Sequence, residues 1–380
     1  MLTKFGQYIT GKKFVPAFFL LLIAACYFVY KEICGFVFRT IGIRPGWWVL
    51  ALLLGMFLLT LVMRNSRNFT PMRKFLIVFA HSYVAYFLYF ALFLLAGKLL
   101  SFLLNLIWHS VQWDSLFFLI ALAGSAVVFC YGTWNARRIQ TITYPITLGD
   151  NGKPYRMVLL SDIHLGSCIG AGYISRMVES VNALQPDMVV ISGDTFNGRS
   201  TKECTNIKGL EALFRQLNAK DGVIAVTGNH DPEPSDASFL TFLERSGITL
   251  LSDQTMELAY FSIVGRNDVS LEHSSFGRKT LDEMLTKLNP TKPCIVLDHN
   301  PRGADEAATR NIALILCGHT HRGQFFPMDL VTKAVYGKER FWGHWKIDGM
   351  HIVTSAGVGY FQMPLRVNTK NEIVSLELTF

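Results

Sequence analysis

Charge is scarce in this sequence. Asp, Glu, Lys and Arg make up 17% of its 380 residues, against about 25% in a typical soluble domain. With 51% hydrophobic residues, the shortage argues for a chain that is wholly or partly embedded in a membrane. The seven cysteines are odd in number and show no Cys-x-x-Cys spacing. That argues against a disulfide framework or a thiolate zinc site, and for a reducing compartment. Repeats of solenoid length and low-complexity tracts are also missing. The formal net charge of +8 looks like a nucleic-acid signal until it is divided. Residues 1–138 carry 13 Lys/Arg and 2 Asp/Glu (+11), whereas residues 139–380 carry 23 and 26 (−3). The excess is juxtamembrane charge, and no nucleic-acid partner is expected.

Two parts follow from that division: 1–138, a transmembrane domain, and 139–380, a polar domain. In the first, Phe14–Tyr30, Gly46–Met63, Phe75–Gly97 and Ser115–Tyr131 are apolar runs uninterrupted by charge, each near the roughly 20 residues that cross a bilayer. Trp47, Trp48, Trp108, Trp113 and Trp134 lie near their ends, where aromatic belts sit. Leu99–Trp108 either continues the third helix or forms a short re-entrant piece. Four spans put both termini on one side, with Lys4, Lys12, Lys13, Arg64, Arg67, Arg73, Lys74, Arg137 and Arg138. The opposite side has Lys31, Arg39, Arg44 and Lys98. The positive-inside bias then expects a multi-pass protein of the bacterial inner membrane with its polar domain in the cytoplasm; a fifth span would reverse this. His81 and His109 in or beside the spans are candidates by default, though a hydrogen-bonded neutral imidazole is the plainer expectation.

From about Tyr144 short apolar runs alternate with amphipathic stretches. Met157–Leu160, Met188–Ile191, Val223–Val226, Ile295–Leu297 and Ile312–Leu316 read as buried strands. Tyr173–Leu184, Ile207–Leu217, Ser235–Ser246, Arg278–Leu288 and Ala304–Arg310 read as helices. The alternation predicts an α/β fold in layers, with chemistry at the carboxyl ends of strands. Those ends carry Ser161-Asp162-Ile163-His164, Ser192-Gly193-Asp194, Thr227-Gly228-Asn229-His230-Asp231, Asp298-His299-Asn300-Pro301 and Gly318-His319-Thr320-His321. Five such endings in register are hard to explain as solvated loops. Mixed imidazole and carboxylate ligands suit Zn, Mn or Fe, and two ions about 3.5–4 Å apart can clamp a phosphoryl oxygen and hold a hydroxide at neutral pH.

The order Asp-x-His, Gly-Asp, Gly-Asn-His-Asp, His, Gly-His-x-His resembles the calcineurin-like metallophosphoesterase superfamily over about residues 155–380. Gly318–Gln324 and Gly357-Val358-Gly359…Pro364-Leu365-Arg366 look like its membrane-anchored bacterial branch. The resemblance implies a layered β-sandwich flanked by helices and two divalent ions, Mn, Zn or Fe. Asp162, His164, Asp194 and His321 would hold the first. Asp194, Asn229, His299 and His319 would hold the second, with Asp194 bridging. His230 would meet the phosphate or protonate the leaving oxygen, and Asp231 would orient it. Asn371-Glu372-Ile373 departs from the branch's usual Pro-Glu-Ile, expected to affect only a late strand.

Arg322, Arg266 and Arg366 are candidates to meet substrate phosphate, because guanidinium suits bidentate oxyanion contact, although a surface ion pair is the commoner fate. His273, His344 and His351 read as structural or surface residues, and Cys168 and Cys317 as small buried ones. Residues 325–345 mix Phe325, Phe326, Met328, Tyr336, Phe341, Trp342 and Trp345 with Lys333, Lys338, Arg340 and Lys346. That is an interfacial composition, read either as a lipid entry facing the membrane or as a loop capping its own sheet. The expected function is hydrolysis, by metal-bound hydroxide, of a lipid-linked phosphodiester or pyrophosphate. The partner is then a membrane lipid or lipid-linked phosphate. The alternatives are a tethered phosphodiesterase for soluble nucleotides or a non-catalytic sensor. Four spans exceed what tethering needs, which favours the first.

Overall fold

The computed structural model describes residues 14–64, 70–108 and 113–380; Lys4, Lys12, Lys13, Arg67 and His109 lie outside them. The chain divides into two compact units, residues 1–134 with 363–365 and residues 135–362 with 366–380.

The first unit is helical: α1 (Phe14–Ile41), α2 (Trp48–Arg64), α3 (Pro71–Asn105) and α4 (Trp113–Asn135). Among the described residues three helical stretches, Phe19–Ile41, Met72–Asn105 and Trp113–Asn135, are long and apolar enough to cross a membrane, and Trp48–Val62 is a shorter apolar helix. One boundary differs from the sequence reading. α1 does not stop at Tyr30 but runs through Lys31, Glu32 and Arg39. Lys98 of α3 pairs with Glu32 at 3.4 Å and Asp114 at 3.1 Å, and Arg39 donates to Ser115 at 3.0 Å, so these polar groups satisfy one another. Leu99–Asn105 continues α3, and the chain turns only at Leu106–Ile107, so no re-entrant piece forms. Thr70 starts α3 by accepting the Arg73 N–H, with Pro71 in the first turn, where its missing N–H costs nothing. Cys26, Val29, Phe87, Phe90, Leu94, Phe118 and Ala121 form the unit's core. His81 Nδ1 meets the Ile77 carbonyl at 2.8 Å, one helical turn back, in line with the plainer expectation.

The second unit is a two-sheet sandwich. Its elements are β1 (Ile139–Thr147), β2 (Pro154–Leu160), α5 (Ala171–Ala183), β3 (Met188–Ser192), α6 (Ile207–Phe214), β4 (Val223–Val226), α7 (Ala237–Ser246), β5 (Ile248–Leu250), β6 (Gln254–Glu257), β7 (Ser262–Gly265), α8 (Leu281–Leu285), β8 (Cys294–Leu297), α9 (Gly303–Ala308), β9 (Leu314–Cys317), α10 (Met328–Tyr336), α11 (Lys338–Phe341), β10 (Gly343–Ile347), β11 (Met350–Thr354) and β12 (Asn371–Thr379). One sheet has the order β1-β12-β2-β3-β4-β5 and the other β10-β11-β9-β8-β7-β6. β2 to β5 are parallel, and so are β7, β8 and β9. All their carboxyl ends therefore open on loops rather than hairpins.

Period-two alternation fills both faces of each sheet. Met157, Leu159, Met188 and Val190 point between the sheets, against Ile263, Ile295, Leu297 and Leu316. Val158, Leu160, Val189 and Ile191 point outward under α5, α6 and α7. The outer face of the second sheet is covered by Leu281, Met284, Ala304 and Ala307 of α8 and α9. Strands buried on both faces read as continuous apolar runs, which is why these strands are the legible ones. α8 is shorter than the predicted Arg278–Leu288 because a capping box between Thr280 and Glu283 starts the helix at Leu281.

Candidate metal centre

Each predicted ligand stands on the loop leaving a strand: Asp162 and His164 after β2, Asp194 after β3, Asn229 after β4, His299 after β8, His319 and His321 after β9. Five of them hold left-handed backbone, with φ of 51° (Asp162), 53° (His164), 53° (Asp194), 69° (His319) and 50° (His321). A non-glycine residue there costs about 1–2 kcal/mol, so strain gathers where the side chains are aimed. Tight packing fixes their approach. A Cβ on Gly228 would stand 2.2 Å from Asp194 Oδ1, and one on Gly193, itself at φ 80°, would stand 2.6 Å from His299 Nδ1.

The side chains converge in two groups that share one carboxylate. Asp162, His164 and His321 form the first, and Asp162, Asp194 and His299 the second; within each group the ligand atoms lie within 4.8 Å of one another. His164 Nε2 faces His321 Nε2 at 3.0 Å, and His321 Nε2 is 3.3 Å from Asp162 Oδ1. Asp194 Oδ2 is 3.2 Å from His299 Nε2 and 3.8 Å from His164 Nε2, so one oxygen addresses a histidine of each group. Its other oxygen accepts the His230 N–H at 2.8 Å. His319 and Asn229 meet beside the second group, Nδ1 to Oδ1 at 2.8 Å, with the His319 and His299 rings 5.1 Å apart. The His319 N–H reaches both Asp162 oxygens at 3.1 Å. The Ser192 carbonyl, 2.8 Å from His299 Nδ1, fixes that ring and leaves Nε2 pointing at Asp194.

This donor set fits divalent ions. His164 Nε2 and His321 Nε2 face one another beside Asp162 Oδ1 and Asp194 Oδ2, so nitrogen lone pairs and carboxylate oxygens crowd one point, which a ligated cation would occupy. Neutral imidazoles are also what a metal requires. Burial, with His230 and His299 nearby, pulls His164 down to about 3. Burial and the positive His299 lower His319, and burial with His164 lowers His321. His299 goes the other way: burial would lower it, but the Asp194 and Asp162 charges raise it well above the ordinary value. Burial likewise works against Asp194 ionising, yet His299 and its neighbours hold that carboxyl far below the usual range. Without metal, then, His299 and Asp194 form a buried proton-holding pair. Burial raises Asp162.

Other candidates are placed differently. Asp231 is buried between two loops. Its two oxygens accept the Phe196 and Gly228 backbone N–H groups, so it fastens the loops after β3 and β4 together. The His230 ring packs 4.6 Å from Phe361 and 5.4 Å from His164. Arg266 is buried, donating to Asp298, Glu306 and the Lys279 carbonyl. Arg366 is fully buried, and it donates to Asn371 Oδ1 and the carbonyls of His321, Ala356 and Gly359. It positions His321 instead of waiting for a phosphate. Arg322 lies 3.8 Å over the Trp342 ring. The departure at Asn371 reaches further than a late strand, because its amide ties Arg366, the Ala136 carbonyl and the Tyr173 hydroxyl together.

Sequence reasoning missed Phe361, whose ring lies 5.3 Å from His164 and 6.4 Å from His321; its signal was its place between Gly359 and Arg366. It also missed that Asp298 serves two arginines, Arg266 and Arg278. Trp342 donates to Glu372 at 3.0 Å and Trp345 to the Trp342 carbonyl at 2.9 Å, so this part caps its own sheet. His344 and His351 bond one another at 2.8 Å, and His273 is exposed. Cys317 is buried, as expected.

Comparison with known proteins agrees with this site. A family model described as calcineurin-like phosphoesterase matches residues 155–323. An uncharacterized metallophosphoesterase of Helicobacter pylori strain J99 is 31% identical over 236 residues, 62% of this chain and 62% of the relative. A Danio rerio protein named transmembrane protein with metallophosphoesterase domain is 29% identical over 276 residues, 68% of this chain and 62% of the relative. An uncharacterized metallophosphoesterase of Bacillus subtilis is 28% identical over 230 residues, 59% of this chain and 79% of the relative. The chain thus spans less than two thirds of the first relatives it matches. The family model starts at β2 and ends on the loop after β9, and every predicted metal ligand from Asp162 to His321 falls within it: the second unit contains a calcineurin-like phosphoesterase domain over residues 155–323.

Proposed function

We propose that this protein is an integral-membrane, metal-dependent phosphoesterase that cleaves a phosphodiester or pyrophosphate bond of a lipid-linked substrate. We place it in a bacterial inner membrane with the phosphoesterase domain in the cytoplasm. The observation that carries the reading is the pair of ligand groups sharing Asp162, in a chain with three helices among its described residues long enough to cross a bilayer. Asp162, His164, Asp194, His299 and His321 would hold divalent ions, with Asn229 and His319 completing the second site. Bound there, such ions supply Lewis acidity toward a phosphoryl oxygen and an activated water.

The chain's own residues do the rest. His230, its backbone fixed by Asp194 and its ring beside Phe361, is in place to donate a proton to the leaving oxygen. Asp231 holds the loop on which His230 stands. Phe361 packs its ring beside His164, His230 and His321. Phe326, just before α10, and Met328 and Leu330 in its first turn are exposed, and they suit the approach of a lipid better than the two packed tryptophans do.

The test is detergent-purified full-length protein loaded with Mn, incubated with a bacterial total lipid extract and a panel of soluble nucleotides, with products identified by mass spectrometry. Loss of one lipid and release of its phosphorylated headgroup or nucleotide, absent in Asp194→Asn, is the expected result. Nucleotide turnover with lipids untouched would make the helices a tether and overturn the lipid assignment.

A further inference from the structure

The four cations that the sequence sets on the side opposite both termini do not scatter around the helix bundle. Lys31 and Arg39 of α1, Arg44 of the α1–α2 connection and Lys98 of α3 all line one cavity of about 610 Å³, together with Tyr30 and Trp47. Cations that merely snorkel to an interface spread outward from separate helices; these converge.

Their charges are unevenly answered. Lys98 is shared between Glu32 and Asp114, at 3.4 and 3.1 Å. Ser101 donates to the other Asp114 oxygen at 2.6 Å. Arg39 gives its Nε to Ser115 at 3.0 Å. Lys31 and Arg44 form no ion pair with a carboxylate among the described residues. Four cations against two acids leave the cluster with a net charge of +2. The walls are aromatic: Arg44 lies 4.5 Å over the Phe38 ring, and Tyr30 stacks on Trp47 at 5.3 Å. Trp47 and Phe38 are themselves exposed on the outside of the bundle. The cavity therefore joins an unsatisfied cationic end to an apolar flank open toward the acyl region.

We propose that this cavity is a binding site for the phosphate headgroup of an anionic amphiphile drawn from the bilayer, with Arg44 and Lys31 on the phosphate and its chains along Trp47 and Phe38. Basic pockets between membrane helices hold anionic headgroups on these grounds, and guanidinium meets phosphate in two parallel hydrogen bonds. The site requires nothing of the metal centre, so the proposal stands or falls apart from the hydrolase reading.

The experiment uses the full chain in detergent micelles, titrated with phosphatidylglycerol or phosphatidylcholine and observed by native mass spectrometry. The expected result is one phosphatidylglycerol retained at least about tenfold more tightly than phosphatidylcholine. Lys31→Gln/Arg44→Gln should lose that preference with an unchanged thermal transition. Lys208→Gln/Lys346→Gln, which removes two charges from the second unit, should keep it. If Lys31→Gln/Arg44→Gln unfolds, Arg44→Lys alone decides, since it keeps the charge and loses the fork; undiminished retention there would overturn the proposal. So would equal retention of the two lipids, or displacement of the signal by millimolar inorganic phosphate, which would assign the cavity to a free anion.

Discussion

At the scale of single residues, the most informative pair is His299 and Asp194. Each titrates in the direction opposite to what burial alone would impose, because each is the other's counter-charge. A divalent ion that takes His299 must expel the proton held there. Manganese binding at pH 7 is therefore expected to release about one proton, read from the change in binding heat between two buffers of different ionisation enthalpy. Below the raised pKa each unit fall in pH should weaken binding about tenfold through this proton, one unit being 1.36 kcal/mol; above it the release should vanish. Asp194→Asn should abolish the release. Proton-neutral binding by the unmodified protein would contradict the account. Arg366 teaches the complementary lesson. The sequence shows an arginine late in a motif, and only the fold shows that its guanidinium is fully engaged by the His321, Ala356 and Gly359 carbonyls and by Asn371. Arg366→Lys keeps the charge but cannot span those acceptors. It should cost on the order of 1–3 kcal/mol per carbonyl left bare, lowering the thermal midpoint and metal affinity together.

At the scale of elements, what was legible followed from burial. β2, β3, β4, β8 and β9 are apolar on both faces and announce themselves, and the residues that follow them are the site. β1, β6 and β10 were not legible, because each lies at a sheet edge with mixed polarity, as in Ile139–Thr147 and Gln254–Glu257. β12 was missed although it is buried, since its alternation includes Glu372, Ser375 and Glu377 and its place between β1 and β2 depends on pairing remote in sequence. The stretch 325–345 failed for another reason: two short helices, α10 and α11, are separated by Gly337 at φ 80°, which breaks the period. The loops, by contrast, are held by contacts too close to tolerate a methyl group. Gly228→Ala would press a Cβ onto Asp194 Oδ1 at 2.2 Å and its nitrogen at 2.4 Å. Overpacking of this kind costs about 1–3 kcal/mol, and because the atom displaced is a ligand, metal affinity should fall by more than tenfold. Gly172→Ala in α5 meets nothing within 4 Å, and it should leave metal binding intact while gaining about 0.5–1 kcal/mol of helix propensity. Equal metal affinity in the two variants would refute the steric argument.

At the scale of the whole molecule, composition alone separated the two units, and they differ in what stabilises them. The helical unit is held by apolar packing around Phe87, Phe90 and Phe118 and has no stake in metal. The sandwich carries a buried cluster of carboxylates and facing imidazoles at its rim, together with five left-handed ligand residues. Its folding free energy is therefore reduced at the place where an ion would restore it. Binding to the folded state alone adds about 4.1 kcal/mol when free metal is a thousand times Kd. In a domain of roughly 150–250 residues each kcal/mol moves the midpoint by about 2–4 °C. Chelation of the full-length protein should thus lower the transition of the second unit by about 8–16 °C and leave that of the helices in place. Tryptophan fluorescence and far-ultraviolet circular dichroism followed in parallel would resolve the two. Asp162→Asn should have a midpoint insensitive to chelator, since that carboxylate belongs to both ligand groups. A chelator effect of equal size on both transitions would show that the units do not melt independently. No effect on either would mean that the strained rim, with its facing imidazoles, is stable without an ion.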